Sequence, residues 1–474
     1  MSKTPGEIKV ELLKLVREFS RLSHGANLPG NEAHQDRRPK FVPGETTVPY
    51  AGRVFDEEEV AAAVSATLDF WLTLGKEGAA FENKLADYLG VKKSVLCNSG
   101  SSANLLAVSA LSSPKLGRRR LKPGDEIITV AAGFPTTIAP IVQNGFVPVV
   151  IDNDPLTLNA KVDQLEEAFV EGKTKAVILA HTLGNPFNLS AVTDFCKKHD
   201  LWLIEDNCDA LGCAYDGKLT GSFGDLSTQS FYPPHHLTLG EGGAVNCVSS
   251  LKFQSIVESF RDWGRDCWCA SGVDNTCGKR FDWQLGELPQ GYDHKYIYSH
   301  FGYNLKPLDI QAAIGNAQLK KLPAFVQARI DNWNYLRHGL RECGEFFEFM
   351  LPTHATGWQP QGFAWDGSGH KTVCSWFGFM LGVKSSAPFS KVEFARRLEQ
   401  RKIGNRMLFG GNLVRQPLMV QLKKDRPGAF RVVGKLEGAD KIMKEVLFIG
   451  TYPGLTRAMM DYVIETIVSF VKKH

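Results

Sequence analysis

The chain has 474 residues, a formal net charge of +4, 43% hydrophobic residues and 22% charged residues. These values are ordinary for a globular protein and argue against a broad nucleic-acid-binding surface. No stretch approaches the roughly 20 apolar residues of a membrane span. We therefore expect a cytoplasmic protein with no membrane or nucleic-acid partner, in which the ten cysteines are free, metal-bound or catalytic rather than paired in disulfides.

The N-terminal part is predicted to be a helix followed by an arm. Apolar residues at helical spacing predict an amphipathic helix over residues 1–20. Residues 21–50 are rich in Pro, Gly, Arg and Asn, and we expect them to be extended. Helical patterns resume at residues 56–74 and 78–89.

Strand-like apolar runs then alternate with helix-like segments. The predicted strands are residues 94–97, 126–130, 147–151, 176–180, 201–204 and 244–247. The predicted helices are residues 102–111, 135–144, 162–169 and 189–199. This alternation predicts an α/β fold with a mostly parallel sheet covered by helices, and chemistry at the carboxyl ends of the strands.

Residues 266–300 interrupt the alternation with three cysteines, many aromatic residues and no helical pattern. Such a long irregular insert is typically functional or mobile. A helical pattern covers residues 308–326 and continues to about 340, and the rest alternates strands and helices. We therefore predict an N-terminal helix and arm (1–50), a large domain (51–325), and a long helix with a smaller α+β domain (326–474).

Two strand ends carry candidate binding residues. The segment Asn98-Ser-Gly-Ser-Ser-Ala-Asn104 opens a helix, where Gly100 permits a tight turn and Ser101 and Ser102 can receive a phosphate. A serine-rich helix start is more often only a cap. Asp206 ends the strand Leu201-Trp-Leu-Ile-Glu-Asp206 and could keep a pyridine nitrogen protonated, although a capping or surface carboxylate is the commoner role.

A third segment, Phe231-Tyr-Pro-Pro-His-His-Leu-Thr-Leu-Gly-Glu-Gly-Gly243, completes a pattern. With Gly302-Tyr-Asn304 and Asp309-Ile-Gln-Ala-Ala313, these motifs resemble the DegT/DnrJ/EryC1/StrS family, a branch of fold-type I pyridoxal phosphate enzymes. The resemblance covers the chain from about residue 50 to the end. It implies a fold-type I transferase-like architecture and a homodimer with active sites at the subunit interface.

The resemblance also implies roles for single residues. Ser101, Ser102 and Ser230 would bind the cofactor phosphate, and Asp206 would bind the pyridine nitrogen. Phe134 would stack on the ring, and Asn304 would reach the partner subunit's phosphate. Position 209 is often Gln or His in the aminotransferases and is Asp209 here, which puts its contact with the ring hydroxyl in doubt.

His235 stands where the aminotransferases of this family hold their lysine. No lysine lies between Lys218 and Lys252. Imidazole cannot form the imine that anchors pyridoxal, but it can move protons near neutral pH. We therefore predict non-covalent pyridoxamine 5'-phosphate and His235 as a base, with His236 unassigned. The alternative is a decayed, inactive sugar-nucleotide-binding homologue.

The insert supplies Cys267, Cys269 and Cys277, spaced C-x-C-x7-C, and Cys208 could be a fourth ligand. Four thiolates suit a 2Fe–2S cluster or a structural zinc ion, and the C-x-C start fits zinc knuckles poorly. Free buried cysteines are the general alternative. The arrangement resembles the iron–sulfur CDP-6-deoxy-4-keto-glucose 3-dehydrases, which implies those four cysteines as cluster ligands, with Cys213 a substitute for Cys208.

That resemblance implies the reaction as well. The enzyme would remove the C3 hydroxyl of a CDP-4-keto-6-deoxyhexose, on the way to 3,6-dideoxyhexoses of lipopolysaccharide O-antigen. A flavin and iron–sulfur reductase would supply electrons. Arg406 and Arg415 could pair with the diphosphate, or form surface salt bridges. A cluster-free 3-dehydratase is the other alternative, and the cysteine loop argues against it.

Overall fold

The computed structural model describes residues 3–24 and 40–474. The predicted arm therefore lies partly outside the described residues, which omit 25–39. The α-helices are α1 (Pro5–His24), α2 (Glu57–Asp69), α3 (Lys76–Leu89), α4 (Gly100–Ala110), α5 (Pro135–Gln143), α6 (Leu165–Ala168), α7 (Leu189–Lys198), α8 (Lys252–Arg261), α9 (Asp309–Leu319), α10 (Leu322–Gly339), α11 (Lys391–Gln400), α12 (Pro417–Asp425), α13 (Glu437–Glu445) and α14 (Arg457–Val471).

Two larger sheets and two small ones contain the strands. The strands are β1 (Lys93–Cys97), β2 (Glu126–Val130), β3 (Val147–Ile151), β4 (Thr174–Ala180), β5 (Trp202–Asp206), β6 (Ala214–Tyr215), β7 (Lys218–Leu219), β8 (Leu226–Ser230), β9 (Gly243–Cys247), β10 (Phe347–Phe349), β11 (Ala355–Gln359), β12 (Gly362–Trp365), β13 (Thr372–Val373), β14 (Gly378–Val383), β15 (Asn405–Met407), β16 (Arg431–Val432) and β17 (Val446–Gly450).

The eight-stranded sheet has the order β1-β9-β8-β5-β4-β2-β3-β16. The strands from β8 to β16 run parallel to one another, while β9 is antiparallel to both β1 and β8. The predicted mostly parallel sheet is therefore confirmed. β1 runs in the same direction as β8, so the carboxyl ends of β1, β2, β4, β5 and β8 meet at one edge.

Both faces of this sheet are buried. Neighbouring residues of a strand enter opposite cores, because side chains alternate between the faces. Ile127 and Val150 pack in one core and Ile128 and Val149 in the other. Near-continuous apolar strands such as β3 result, as expected for parallel strands covered on both sides.

The C-terminal part forms a four-stranded antiparallel sheet, ordered β10-β14-β17-β15. It also sends β16 to the edge of the large sheet, parallel to β3. The division of the chain at residues 50 and 325 stays a prediction. No α-helix in residues 3–24 and 40–474 is long and apolar enough to cross a bilayer.

Two local predictions differ from the structure. The helix predicted over 56–74 ends at Asp69, because Phe70 takes a left-handed backbone with φ of 53° and caps the helix. Strand β8 was not among the predicted strands. Its sequence, Leu-Ser-Thr-Gln-Ser, is polar although every residue is buried, and the hydroxyl of Ser227 is satisfied inside the sheet by the carbonyl oxygen of Gly221.

The irregular insert is confirmed as such. Between Asp266 and His300 the structure has one short 3-10 helix, His294–Tyr296, and otherwise turns and loops. Asp266, at the start of the insert, contacts two residues near its end. Its Oδ2 accepts a hydrogen bond from the Ser299 hydroxyl at 2.6 Å, and its Oδ1 lies 2.9 Å from Nε2 of the buried His294.

Candidate active site

The site lies at the sheet edge where the parallel strands end. Asp206 is the last residue of β5 and Ser230 the last of β8, while α4 begins three residues after β1. The sequence places polar residues at these ends, and the shared strand direction brings them together. The expectation that chemistry-bearing residues meet at the carboxyl edge therefore has a structural basis.

Asp206 is 5% exposed and held by three donors. Its Oδ2 accepts hydrogen bonds from Asn104 Nδ2 at 2.8 Å and Thr137 Oγ1 at 2.7 Å. Its Oδ1 accepts the backbone N–H of Cys208, at 3.3 Å. The Oδ1 atom therefore has capacity for one further donor, as a protonated ring nitrogen would require.

Two of these partners lie near the starts of the helices that follow β1 and β2. Asn104 lies on α4, and its own Oδ1 accepts a hydrogen bond from Thr228 of β8 at 2.7 Å. Thr137 lies on α5. Sequence reasoning missed both residues. The sequence feature that could have indicated them is a polar side chain about one turn into a helix that begins at the carboxyl edge of the sheet, where the parallel strands end.

The start of α4 approaches β8 closely enough to exclude a side chain. An ideal Cβ on Gly100 would lie 2.4 Å from Cβ of Ser230. Ser99 caps the helix by accepting the N–H of Ser102. The hydroxyl of Ser101 reaches Thr136 at the start of α5, at 3.1 Å. The structure thus brings the three predicted phosphate-binding serines beside one helix N-terminus, where backbone N–H groups favour an anion.

Phe134 is the residue before α5 and is 51% exposed. Its ring contacts Phe409 edge to face, with centroids 5.9 Å apart. One face of this aromatic side chain is therefore available at the same sheet edge as Asp206. This placement is compatible with the predicted stacking on a cofactor ring.

His235 lies in a loop that the rest of the protein holds firmly. The guanidinium of the buried Arg329 donates to the carbonyl oxygens of Pro234 and His235, at 3.2 and 3.1 Å. The same guanidinium reaches the carbonyl oxygen of Trp376 at 3.2 Å. His236 Nε2 lies 2.6 Å from the carbonyl oxygen of Ser375. The backbone of the loop that carries His235 is thereby held in place.

The ring of His235 is 15% exposed and packs on Phe377, with centroids 5.1 Å apart. Burial lowers the pKa of His235 to about 4, with the Arg329 guanidinium acting in the same direction and the Asp206 carboxylate opposing it. His235 is therefore uncharged at neutral pH. An uncharged imidazole has a lone pair and can accept a proton.

Asp209 is the carboxylate next to His235. Its Oδ1 lies 3.5 Å from Nδ1 of His235, and both side chains are 15% exposed. Burial raises the pKa of Asp209 to about 8, and the nearby Asp206 carboxylate adds to the effect. Sequence reasoning considered position 209 only as a departure from the aminotransferase pattern. Its proximity to His235 depends on the turns after β5 and β8 facing each other.

Three predicted residues lie outside this group. The contacts of Asn304 are with Asp262, across a β-bridge, and with Lys306 Nζ at 3.3 Å. The guanidinium of Arg406 lies over the ring of Tyr50, 4.1 Å from its centroid. Arg415 forms an ion pair with Asp440. Their predicted roles toward a partner's phosphate and a diphosphate stay predictions.

The predicted four-cysteine ligand set is not assembled. Cys267, Cys269 and Cys277 share one small space with His294, and the Cys269 N–H donates to Cys267 Sγ at 3.4 Å. Cys208 instead packs behind Asp206, with its Sγ 4.0 Å from Thr228 Oγ1. Within residues 3–24 and 40–474, no group of three or more His, Cys, Asp or Glu side chains is arranged to hold a metal ion. The structure therefore does not support the four-cysteine cluster.

The alternative ligand Cys213 fits no better. It is fully buried, its Sγ donates to the carbonyl oxygen of Gly184 at 3.1 Å, and it accepts the N–H of Ser375 at 3.1 Å. A separate cavity of about 820 Å³ is lined by Cys267 and Cys269 together with Trp71, Trp263 and Lys306. His235 is not among the residues that line this cavity.

Solved structures define the class of the protein. The structure of the E. coli GDP-4-keto-6-deoxy-D-mannose-3-dehydratase with bound hydrated PLP is similar to this chain, with a TM-score of 0.74 and 27% identity. The match covers 88% of this chain and 98% of that one. The fold and the site together are those of a pyridoxal-phosphate-dependent enzyme of the aminotransferase architecture.

The family follows from the sequence match. The model of the DegT/DnrJ/EryC1/StrS aminotransferase family matches residues 54–468, and the chain belongs to that family. The lipopolysaccharide biosynthesis protein RfbH of Salmonella typhimurium is 50% identical over 446 residues, covering 94% of this chain and 97% of RfbH. The dTDP-4-dehydro-2,6-dideoxy-D-glucose 3-dehydratase of Saccharopolyspora spinosa is 48% identical over 439 residues, covering 93% and 90%. The resemblance in the strand-end motifs is thus confirmed.

Proposed function

We propose that this protein is a pyridoxamine-phosphate-dependent sugar-nucleotide 3-dehydratase. The observation that carries the proposal is His235, a buried and uncharged imidazole close to Asp206, in a segment without lysine. A base without an amine fits proton transfer and does not fit transamination through a lysine. Two similar proteins, from S. spinosa and E. coli, bear 3-dehydratase names, which supports the same reaction class.

The residues at the sheet edge fit the cofactor. Asp206 would hold the ring nitrogen through Oδ1, because Oδ2 already accepts two hydrogen bonds. Ser101, Ser102 and Ser230 would hold the phosphate at the start of α4, and Phe134 would cover the ring. When bound, pyridoxamine phosphate supplies an amine that condenses with a ketone and a ring that accepts electrons.

His235 supplies the proton transfer in this proposal. Its uncharged ring can take a proton from carbon at neutral pH, and the surrounding Phe377 and backbone carbonyls exclude most water from it. Asp206, fixed by Asn104 and Thr137, keeps negative charge next to the position where positive charge is held on the ring. The sugar C3–O bond breaks, and the hydroxyl leaves with a proton as water.

We also propose the nucleotide and the sugar of the substrate. The resemblance of the cysteine and histidine motifs favours a CDP-4-keto-6-deoxyhexose, whereas the named dehydratases act on dTDP and GDP sugars. The name of RfbH points to lipopolysaccharide, and we propose a cytoplasmic step toward 3,6-dideoxyhexoses. Turnover of the CDP, dTDP and GDP forms of one 4-keto-6-deoxyhexose would separate these candidates.

The proposed contact of Arg406 with the diphosphate is tested by Arg406→Ala, which should lose nucleotide affinity. Arg426→Ala, at an exposed position, is the control.

A 2Fe–2S cluster, a reductase and a homodimer are further parts of the proposal. The three cysteines of the insert support the cluster, and no step above depends on it. Anaerobic reconstitution with iron and sulfide, followed by metal analysis, tests it in the wild type and in Cys267→Ser and Cys208→Ser. Iron lost in both variants supports four ligands, whereas iron retained in Cys208→Ser removes Cys208 from the set. A wild type that binds no iron but dehydrates substrate is the cluster-free dehydratase. Sedimentation of the full chain measures the dimer.

The central test is His235→Asn. Solvent exchange of the cofactor methylene protons with substrate present, and dehydration, should both be lost. Bound pyridoxamine phosphate should be retained, because Asp206 and the serines are unchanged. His370→Asn is the matched control, since this exposed histidine pairs with Asp216 away from the site. Undiminished exchange in His235→Asn would remove His235 as the base, and no exchange in the wild type would identify an inactive binding homologue.

A further inference from the structure

A second acidic residue, Asp209, lies close to the candidate base. Asp209 lies in the turn after β5 and His235 in the loop after β8, and their Oδ1 and Nδ1 atoms are 3.5 Å apart. Nδ1 of His235 is fully buried and has no hydrogen-bond partner. A buried polar atom without a partner costs about 1–3 kcal/mol. A small rotation of either side chain would close the 3.5 Å separation to a hydrogen bond and remove that cost.

Most other groups near the pair are engaged elsewhere. Arg329 directs its guanidinium at backbone carbonyl oxygens. Asp206 is held by Asn104 and Thr137. His236 is bonded to the carbonyl oxygen of Ser375, and the Cys213 thiol donates to the carbonyl oxygen of Gly184. The backbone of Cys208 also interacts with the His235 ring, and Asp209 is the carboxylate that lies 3.5 Å from Nδ1.

We propose that Asp209 is a positioning residue for His235: it accepts the Nδ1–H of the imidazole, so that Nε2 carries the lone pair that takes the proton. The role of Asp209 rests on the proposed function, in which His235 is the base. A carboxylate that orients a histidine ring through one nitrogen sets the tautomer of the other. Such contacts are often long in the absence of ligands and tighten when the site is occupied.

The first readout needs no cofactor. Full-length protein labelled with ¹⁵N-histidine is examined by NMR, and His235→Asn identifies the His235 resonances. The wild type should show the Nδ1–H tautomer, and Asp209→Ala should lose it. Asp216→Asn, which breaks the exposed pair with His370, should change nothing at His235. An Nε2–H tautomer in the wild type, or an unchanged tautomer in Asp209→Ala, overturns the proposal.

The second readout is exchange of the methylene protons in the loaded enzyme. Asp209→Asn and Asp209→Ala should lower its rate by about 10–100-fold with cofactor affinity unchanged. If His235→Asn keeps exchange, the proposed function fails. If His235→Asn abolishes exchange while both Asp209 variants keep the wild-type rate, the positioning role alone fails.

Discussion

Gly100→Ala is the sharpest structural test of the phosphate cradle. The added Cβ would lie 2.4 Å from Cβ and 2.8 Å from Oγ of Ser230, whereas carbon atoms in contact are about 3.5–4.0 Å apart. The first turn of α4 and the end of β8 must therefore separate by roughly 1 Å. Forcing an extra carbon into a packed site typically costs about 1–3 kcal/mol. We expect a loss of unfolding free energy of that size.

The same displacement should weaken phosphate binding. Hydrogen bonds to a charged group contribute about 1.5–3 kcal/mol each, so losing one corresponds to at least a tenfold rise in Kd. Urea denaturation of the cofactor-free protein measures stability, and titration with pyridoxamine phosphate measures Kd. Gly344→Ala is the control, because a Cβ there meets nothing within 4 Å.

A compensating change makes this prediction refutable. Ser230→Gly removes the side chain that the new Cβ would meet, so the double variant should regain stability relative to the sum of the single variants. The coupling should be at least about 0.5–1 kcal/mol. Strict additivity, or a Gly100→Ala protein as stable as Gly344→Ala, would refute the close approach of α4 and β8. Ser230→Gly alone should still weaken cofactor binding.

Three more outcomes follow from buried polar groups. Glu205→Ala should lower the unfolding free energy by about 3–5 kcal/mol and lower the soluble yield, because a buried histidine and three backbone N–H groups lose their hydrogen-bond partner. These groups belong to His181, Gly221, Phe223 and Gly224. Burial opposes the charge of Glu205, but His181 and the backbone donors stabilise it and lower the pKa of Glu205 in the folded protein. The ionised Glu205 therefore stabilises the fold above pH 4.5, and this contribution is lost as pH falls through the lowered pKa. Above pH 6.5 the His235 ring is neutral in both the folded and the unfolded chain. Below pH 6.5 the unfolded chain binds a proton first, so the cofactor-free protein should lose up to about 3 kcal/mol of unfolding free energy between pH 6.5 and 4. The variant His235→Asn should not show this loss. Thr137→Val should raise the Kd of pyridoxamine phosphate several-fold without unfolding the protein, as measured by titration.

The sequence predicts the large sheet well because its strands are buried on both faces. Runs such as residues 147–151 and 176–180 are apolar throughout, and the structure places strands at Val147–Ile151 and Thr174–Ala180. The apolar pattern does not predict strand β8, because its residues are mostly polar. The hydroxyl of Ser227 accepts a hydrogen bond from Asn246, a partner distant in sequence, and pattern alone cannot supply such partners. Within the described residues, both polar side-chain atoms of Gln229 are buried without a hydrogen-bond partner.

The site divides in the same way. Asp206, Ser101 and Ser230 are predictable because each occupies a strand end or a helix start with a recognisable motif. Asn104 and Thr137 are not, because their function depends on two helices converging on one carboxylate. Asp209 and Arg329 act on the His235 loop from the turn after β5 and from α10. Such contacts arise from the crossover topology and leave no local signal.

The arrangement around His235 also bears on the choice between an active enzyme and an inactive homologue. Asp206, Asp209 and His235 are three ionisable side chains buried within one site, and burying such groups is unfavourable unless they pair. Apolar residues of similar volume at these positions would typically be neutral or stabilising. The fold instead holds Asp206 with three donors and braces the His235 loop with Arg329. Buried ionisable groups with shifted pKa values, here Asp209 and His235, are typical of a site whose chemistry is proton transfer.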